Sequence, residues 1–183
     1  MKTVILLRHA KSDWSDTTQR DFDRPLNGRG ERAAALMGRW ARREALTFDR
    51  IIASPAARVK DTLDRFTESY GPCPEPLWDK RVYLASSATL ADVVSDVDDG
   101  QDHLLLVGHN PGLEEFILDM VPDAGDTALR DDVALKFPTA AMAVIEFDIA
   151  HWAMLSGGKG GLGVLKRFVR PRDLDPSLGP DQR

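Results

Sequence analysis

Residues 4–9 read Val-Ile-Leu-Leu-Arg-His, and this stretch decides how the chain folds. Its four apolar residues have the pattern of a strand that is buried in a parallel sheet. A second apolar run, over residues 103–107, ends in the same way at Gly108 and His109. The sequence therefore predicts two buried strands, each of which ends at a histidine.

Helical and strand patterns alternate along the rest of the chain. Apolar residues at helical spacing predict helices over residues 28–44, 54–70, 88–97 and 111–121. Apolar runs predict strands over residues 49–53 and 142–147, and residues 152–155 are expected to pair with the latter through a turn near Ala150. Because strands that alternate with helices form parallel sheets covered on both faces, we predict an α/β fold. We expect a three-layer α/β/α sandwich with a mostly parallel central sheet.

The chain has 183 residues, of which 43% are hydrophobic and 29% are charged, as in globular proteins. This length suits one domain with a proper core and is short for two. We therefore predict a single domain over residues 1–172, followed by a C-terminal tail, residues 173–183, that frays unless it docks on the domain.

Composition argues against several classes of protein. The net charge of −5 disfavours a non-specific nucleic-acid-binding protein, which normally carries a basic surface. No apolar run approaches the roughly 20 residues of a membrane span, and the N-terminal run is too short for a signal peptide. Cys73 is the only cysteine, so no intrachain disulfide is possible. We expect a cytoplasmic protein with neither nucleic acid nor membrane as its partner.

Four residues are candidates for one catalytic site. His9 and His109 each follow a predicted strand, and ligands of open α/β sheets collect at the carboxyl ends of the strands. Arg8 precedes the first histidine, and Arg58 begins the helix that follows the strand at residues 49–53. Arginine side chains match phosphate oxygens in geometry and stay charged at any working pH. These residue types predict a pocket for a tetrahedral oxyanion.

The two histidines could instead bind zinc together with a carboxylate. The sequence has no closely spaced pair of metal ligands, however. We therefore predict that the protein uses neither a metal ion nor an organic cofactor.

Three stretches around these residues resemble motifs of the histidine phosphatase superfamily, which has the phosphoglycerate mutase-like fold. They are residues 7–14 (Leu-Arg-His-Ala-Lys-Ser-Asp-Trp), similar to its Arg-His-Gly-x-Ser-x-Trp-Asn signature, residues 54–62 (Ser-Pro-Ala-Ala-Arg-Val-Lys-Asp-Thr), similar to its Ser-x-x-x-Arg-x-x-x-Thr motif, and residues 107–110 (Val-Gly-His-Asn), similar to the strand with its second histidine. The short chain and the sequence Phe-Pro-Thr-Ala-Ala at residues 137–141 resemble the small bacterial SixA-type phosphohistidine phosphatases. The resemblance covers residues 2–172.

This resemblance implies a metal-independent phosphatase and a role for each matching residue. His9 would attack the phosphorus and become a phosphohistidine, which water then hydrolyses. Arg8, Arg58 and His109 would hold the equatorial oxygens and balance the charge of the transition state. Ser12 would add a hydrogen bond to the phosphoryl group. The implied substrate is phosphohistidine on a protein.

The superfamily's general acid has no firm counterpart in this sequence. Larger members carry a glutamate after the helix that holds the arginine, where this chain has Asp79 as a possible general acid or a solvated loop residue. The signature also changes at Ala10 and Ser15, which replace a glycine and an asparagine. Because imidazole leaves more readily than an alkoxide, a site without a firm acid favours phosphohistidine over a phosphate ester.

Two alternatives stay open at this point. The first is a phosphomonoesterase that acts on a small phosphorylated metabolite and uses Asp79 or another carboxylate as its acid. The second is a non-catalytic phosphate-binding module of the same fold. The second is disfavoured because a module that only binds phosphate has no need of both histidines.

Overall fold

Six strands form one sheet in the computed structural model, which describes residues 1–158 and 160–179. The strands are β1 (Lys2–Arg8), β2 (Arg50–Ala53), β3 (Leu77–Trp78), β4 (His103–Gly108), β5 (Met142–Phe147) and β6 (Gly163–Val169). Their order in the sheet is β3-β2-β4-β1-β5-β6. Neighbours from β3 to β1 are parallel, and β5 is antiparallel to both β1 and β6. The predicted α/β fold with a mostly parallel sheet is confirmed.

Helices cover both faces of this sheet. They are α1 (Gly28–Arg43), α2 (Ala57–Tyr70), α3 (Ser87–Ser95), α4 (Gly112–Met120), α5 (Ala128–Leu135) and the short α6 (Pro171–Leu174). One buried cluster joins α1 and α2 to one face, and the other joins α3, α4 and α5 to the opposite face.

Strand β1 contributes to both of these clusters because successive side chains of a strand point to opposite faces. Val4 and Leu6 belong to the cluster under α3 and α4, whereas Ile5 and Leu7 belong to the cluster under α1 and α2. A strand buried on both faces needs apolar residues without alternation, which explains the continuous run in the sequence.

The predicted strand over residues 152–155 is wrong, because this segment is part of a 3-10 helix, Trp152–Gly158. Trp152 and Leu155 are buried while the two residues between them are exposed, and a spacing of three is that of a helical turn. Two side-chain contacts fix the turn: the backbone N–H of Trp152 donates to Asp99 Oδ1 (2.9 Å) and its indole N–H to the carbonyl of Gln101 (2.7 Å). On the side away from β1, β5 pairs with β6.

The C-terminal segment after β6 packs on the side of the domain that carries α1 and α2. Leu174 and Leu178 pack against the cluster under α1 and α2, and a 3-10 turn, Pro176–Leu178, follows α6. Residues 180–183 of the predicted tail lie outside the described residues. Within the part of the chain that the structure describes, no helix is long and apolar enough to cross a membrane.

The strand register brings the predicted site residues to one edge of the sheet. Leu7 of β1 and Ala53 of β2 both pair with Val107 of β4, so the three strands end side by side. The residues that follow these ends include His9 and His109. The two histidines predicted from the sequence therefore lie at the same carboxyl edge of the sheet.

Candidate active site

A pocket of about 620 Å³ opens at this carboxyl edge. Seven arginine and lysine side chains line it, and Asp21 is the one acidic residue among its described lining residues. The basic residues are Arg8, Lys11, Arg29, Arg58, Lys136, Arg170 and Arg172. In a chain with a net charge of −5, this concentration makes the pocket locally positive and suited to an anion.

The backbone around His9 is held from several directions. Its N–H donates to the carbonyl of Gly108 (3.1 Å), and its carbonyl accepts from the N–H of Ala140 (3.0 Å). The N–H of the next residue, Ala10, donates to Thr62 Oγ1 (2.9 Å). The position of the imidazole in the pocket is therefore fixed by three parts of the chain: strand β4, helix α2 and the segment before β5.

The imidazole of His9 is buried, neutral and held in one tautomer. Its Nδ1 lies 2.7 Å from the carbonyl of Ala10, which can only accept, so Nδ1 carries the proton and Nε2 keeps its lone pair. Burial, with smaller contributions from the charges of Arg8 and Arg58, lowers the pKa of His9 to about 3. A neutral imidazole with a free Nε2 is the form that can attack phosphorus.

His109 lies next to His9, with the two ring centroids 5.3 Å apart. Its Nδ1 is 3.2 Å from Nη2 of Arg58, which can only donate, so Nε2 carries the proton and donates to Ser54 Oγ (2.7 Å). Burial and the nearby Arg58 charge lower the pKa of His109 to about 3. His109 is not among the described lining residues of the pocket, and it contacts Arg58, which is.

Arg58 is buried, with 5% of its surface exposed, and it is held by three acceptors. Its Nη1 donates to the carbonyl of Asp21 (2.8 Å). Its Nη2 donates to Asp21 Oδ2 (3.0 Å) and to Nδ1 of His109 (3.2 Å). The hydroxyl of Tyr83 donates to the same carboxylate oxygen (2.6 Å). Burial raises the pKa of Asp21, but the Tyr83 hydrogen bond and the Arg58 charge outweigh burial and leave this pKa below its ordinary value.

Arg8 enters the pocket from the end of β1. Its Nη1 donates to the carbonyl of Phe137 (3.0 Å), which also accepts from Nδ2 of Asn110 (2.9 Å). Its Nε is buried and has no hydrogen-bond partner among the described residues. Buried donors are normally satisfied, so this N–H is suited to an oxygen of a bound anion.

The pocket brings together Arg8, His9, Arg58 and Ser12, all of which the sequence proposed for one site. Ser12 is buried and forms an isolated bridge with Leu26, which holds it at the wall.

The structure places Asp79, the possible general acid, apart from the other predicted site residues. It does not line the pocket, and its carboxylate pairs with Arg81 at 2.8 Å. The hydrogen bond from Arg81 holds the pKa of Asp79 below its ordinary value. A carboxylate that is ionised at neutral pH cannot donate a proton to a leaving group.

Sequence reasoning assigned no role to Asp21, Ser54, Thr62 or Asn110. The last three lie inside the motif stretches quoted above, so the motifs could have identified them as candidate site residues. Asp21 lies in a polar loop with several other carboxylates, and nothing in that loop distinguishes it before the structure places it against Arg58.

Other reactive groups lie outside this pocket. Cys73 is half-buried in a separate groove, and burial raises the pKa of its thiol. Among the described residues, no group of three or more His, Cys, Asp or Glu side chains is arranged to hold a metal ion.

Known proteins resemble this chain in both sequence and fold. The sequence model of the histidine phosphatase superfamily (branch 1) matches residues 4–80. An uncharacterized protein of Mycobacterium tuberculosis is 34% identical over 157 residues, which are 85% of this chain and 96% of that one. A candidate phosphohistidine phosphatase SixA from Agrobacterium tumefaciens is 28% identical, with a TM-score of 0.76 over 93% of this chain and 98% of that one. A candidate SixA from Nakamurella multipartitia is 26% identical, with a TM-score of 0.79 over 93% and 96%.

Proposed function

Because this chain belongs to the histidine phosphatase superfamily, we propose that it hydrolyses phosphohistidine on a protein through a covalent intermediate at His9. The observation that carries the proposal is the state of His9. Its Nδ1 is held by the Ala10 carbonyl, so the imidazole is neutral and its Nε2 is free in a pocket that Arg8 and Arg58 line. A neutral nitrogen nucleophile beside two guanidinium groups suits phosphoryl transfer better than simple anion binding.

The first step transfers the phosphoryl group to the enzyme. Nε2 of His9 forms a bond to phosphorus while the P–N bond of the substrate breaks, and the departing imidazole takes its proton from solvent. The guanidinium groups of Arg8 and Arg58 balance the charge that spreads over the equatorial oxygens. Ser12 lines the pocket, and we assign to it a hydrogen bond to the phosphoryl group.

The second step returns the enzyme to its starting state. Water attacks the phosphorus of phosphorylated His9, the bond to Nε2 breaks, and inorganic phosphate leaves. We assign His109 to both steps as a neighbour of the reacting group, because it lies 5.3 Å from His9 and holds Arg58 through Nδ1.

The carboxyl groups near the pocket favour phosphohistidine over an ester. An alkoxide leaving group needs a positioned acid, whereas imidazole does not. Asp21 lines the pocket but is held ionised by Tyr83 and Arg58. Burial raises the pKa of Glu114, near Arg8, but this side chain does not line the pocket.

The test compares phosphate release from a phosphohistidine protein with release from phosphoserine, an alkyl ester whose alkoxide leaving group needs a proton from a positioned acid. We expect release from phosphohistidine, little release from the ester, and loss of activity in His9→Ala. Asp79→Asn is the matched control and should keep full activity, because Asp79 pairs with Arg81 away from the pocket. Equal release from the ester would contradict the substrate assignment. Phosphate binding without release from either substrate would indicate the binding module.

A further inference from the structure

The pocket contains more basic side chains than one phosphoryl group can use. Arg8 and Arg58 lie at its floor beside His9, and five other arginine and lysine residues line its walls. Like charges gathered in one place repel each other, so such a cluster is costly unless an anion occupies it. The extra cations therefore call for a second anionic group.

Two of the wall arginines already have partners in the C-terminal segment. Arg170 pairs with Asp173 at 2.8 Å, and Arg29 donates to the carbonyl of Gly179. Lys136 and Arg172 differ, because neither side chain makes a hydrogen bond or a close ion pair with the described residues, although the charge of Arg172 helps to lower the pKa of the neighbouring Asp173. Lys136 is exposed and Arg172 is half-buried. These two side chains are the cations that the wall offers to a ligand.

Packing ties these cations to the floor of the pocket. Lys136 directly precedes Phe137, whose carbonyl anchors Arg8. The ring of Phe137 stacks on that of Phe168 at 5.6 Å, and the guanidinium of Arg170 lies 5.7 Å from the same Phe168 ring. The segment that holds Arg172 therefore sits on the same aromatic stack that supports the phosphoryl site.

We propose that Lys136 and Arg172 form a second anion-binding subsite, which takes acidic side chains that flank the phosphohistidine of a protein substrate. The inference rests on the proposed function. It is favoured because both cations line the pocket and Lys136 is exposed, so that the surface of a partner protein can reach it. Charges at the rim of an interface mainly select the partner and speed its association.

The experiment measures binding without turnover. Two peptides carry a non-hydrolysable phosphonate on an azole ring in place of phosphohistidine, with aspartates on both sides of it in one and asparagines in the other. Fluorescence anisotropy gives the Kd of each for the wild type, the double variant Lys136→Ala/Arg172→Ala and the control Arg43→Ala. Arg43 is exposed at the end of α1, outside the pocket, and its loss removes a charge without touching the site.

We expect the wild type and Arg43→Ala to bind the acidic peptide about fivefold more tightly than the neutral one, as two exposed ion pairs allow. The double variant should lose this preference and bind the neutral peptide unchanged. Orthovanadate, which occupies only the phosphoryl site beside His9, should displace the neutral peptide equally well from the double variant and from the wild type. Equal affinity for the two peptides in the wild type, or a preference that survives in the double variant, would overturn the proposal.

Two further outcomes separate the possible failures. In the first, methylenediphosphonate competes much better than phosphate in the wild type but not in a variant without Lys136, and the residues that flank the phosphonate have no effect on peptide affinity. The subsite would then serve a small molecule with two phosphate-like groups, and the acidic-protein assignment would be wrong. Phosphate release is measured separately with the matching phosphohistidine peptides. A preference for the acidic peptide without release would overturn the proposed hydrolysis but support the subsite, whereas release without preference would overturn the subsite alone.

Discussion

At the scale of single residues, burial sets the protonation of His9. The side chain is 8% exposed, and its pKa of about 3 lies far below the ordinary value of 6.5. The cost of this burial is offset by backbone contacts on both sides and by the carbonyl of Ala10, which fixes the tautomer. A surface histidine would be partly protonated near neutral pH and would lose nucleophilicity there.

This low pKa predicts how His9 responds to pH. Because the folded pKa lies below the unfolded one, His9 binds no proton until the pH falls towards 3. Between about pH 6.5 and that value the unfolded state binds more protons, so falling pH destabilises the fold. The imidazole resonances of His9, assigned by comparison with His9→Ala, should therefore not shift between pH 8 and about pH 5. A titration midpoint near 6.5 would contradict the buried neutral state.

Asp21 competes with an incoming phosphoryl group for Arg58. Its carbonyl and carboxylate occupy both terminal nitrogens of the guanidinium, and its charge opposes a second anion. Asp21→Asn removes this charge but keeps the carbonyl contact. We expect inhibition by inorganic phosphate to become about fivefold tighter, as for removal of one like charge near a solvent-exposed site.

Asp16→Asn is the matched control for this effect. Asp16 lies in the same loop, is exposed and bonds to Thr18, away from Arg58. Phosphate inhibition should be unchanged in this variant. Weaker inhibition in Asp21→Asn would show that Asp21 acts chiefly by positioning Arg58.

At the scale of elements, helix α1 supports the loop that carries Ser12. Asn27 caps the helix by accepting from the N–H of Gly30 (2.8 Å), and its own N–H donates to the carbonyl of Lys11 (3.0 Å). A Cβ added at Gly30 would lie 2.2 Å from that carbonyl oxygen. The close approach of loop and helix therefore requires a glycine at this position.

Gly30→Ala should push this loop away from α1. We expect a loss of about 1–3 kcal/mol in the free energy of unfolding, as in other overpacked sites, and a higher KM because Ser12 moves with the loop. Gly28→Ala in the same helix is the control, since the nearest atom to its added Cβ is 3.7 Å away and ordinary contact results. Urea unfolding checks both variants, and equal stability of the two would contradict the account of the loop.

The elements also show what a sequence can predict. Strands β1 and β4 were predictable because burial on both faces demands continuous apolar residues, and their ends placed His9 and His109 together. Strand β3 was missed because it has two exposed residues at a sheet edge and no pattern of its own. The position of Asp79 was not predictable, because its pairing with Arg81 depends on a turn that its sequence neighbours do not reveal.

At the scale of the whole molecule, charge is distributed unevenly. The chain has a net charge of −5, yet the described residues that line the pocket include seven basic side chains and one acidic side chain. The surrounding surface therefore repels anions while the pocket attracts them, and the field guides an anionic substrate to the site. Composition alone could not reveal this contrast, because the basic residues come from segments far apart in sequence.

This distribution predicts the effect of ionic strength. Raising sodium chloride from about 0.1 M to about 1 M shortens the screening length from about 10 Å to about 3 Å. The KM for a phosphohistidine protein should rise several-fold, while kcat should change little because the reacting groups are buried. Steady-state kinetics over this range checks the expectation, and a KM independent of salt would contradict steering by the pocket.

The measurement that tests the central claim most directly is trapping of the phosphorylated enzyme. The protein is mixed with a phosphohistidine substrate, quenched in alkali within milliseconds and analysed by intact mass and peptide mapping. We predict one added phosphoryl group, located on His9, and none in His9→Ala. Turnover with no phosphorylated enzyme, or a phosphoryl group on any other residue, would contradict the mechanism.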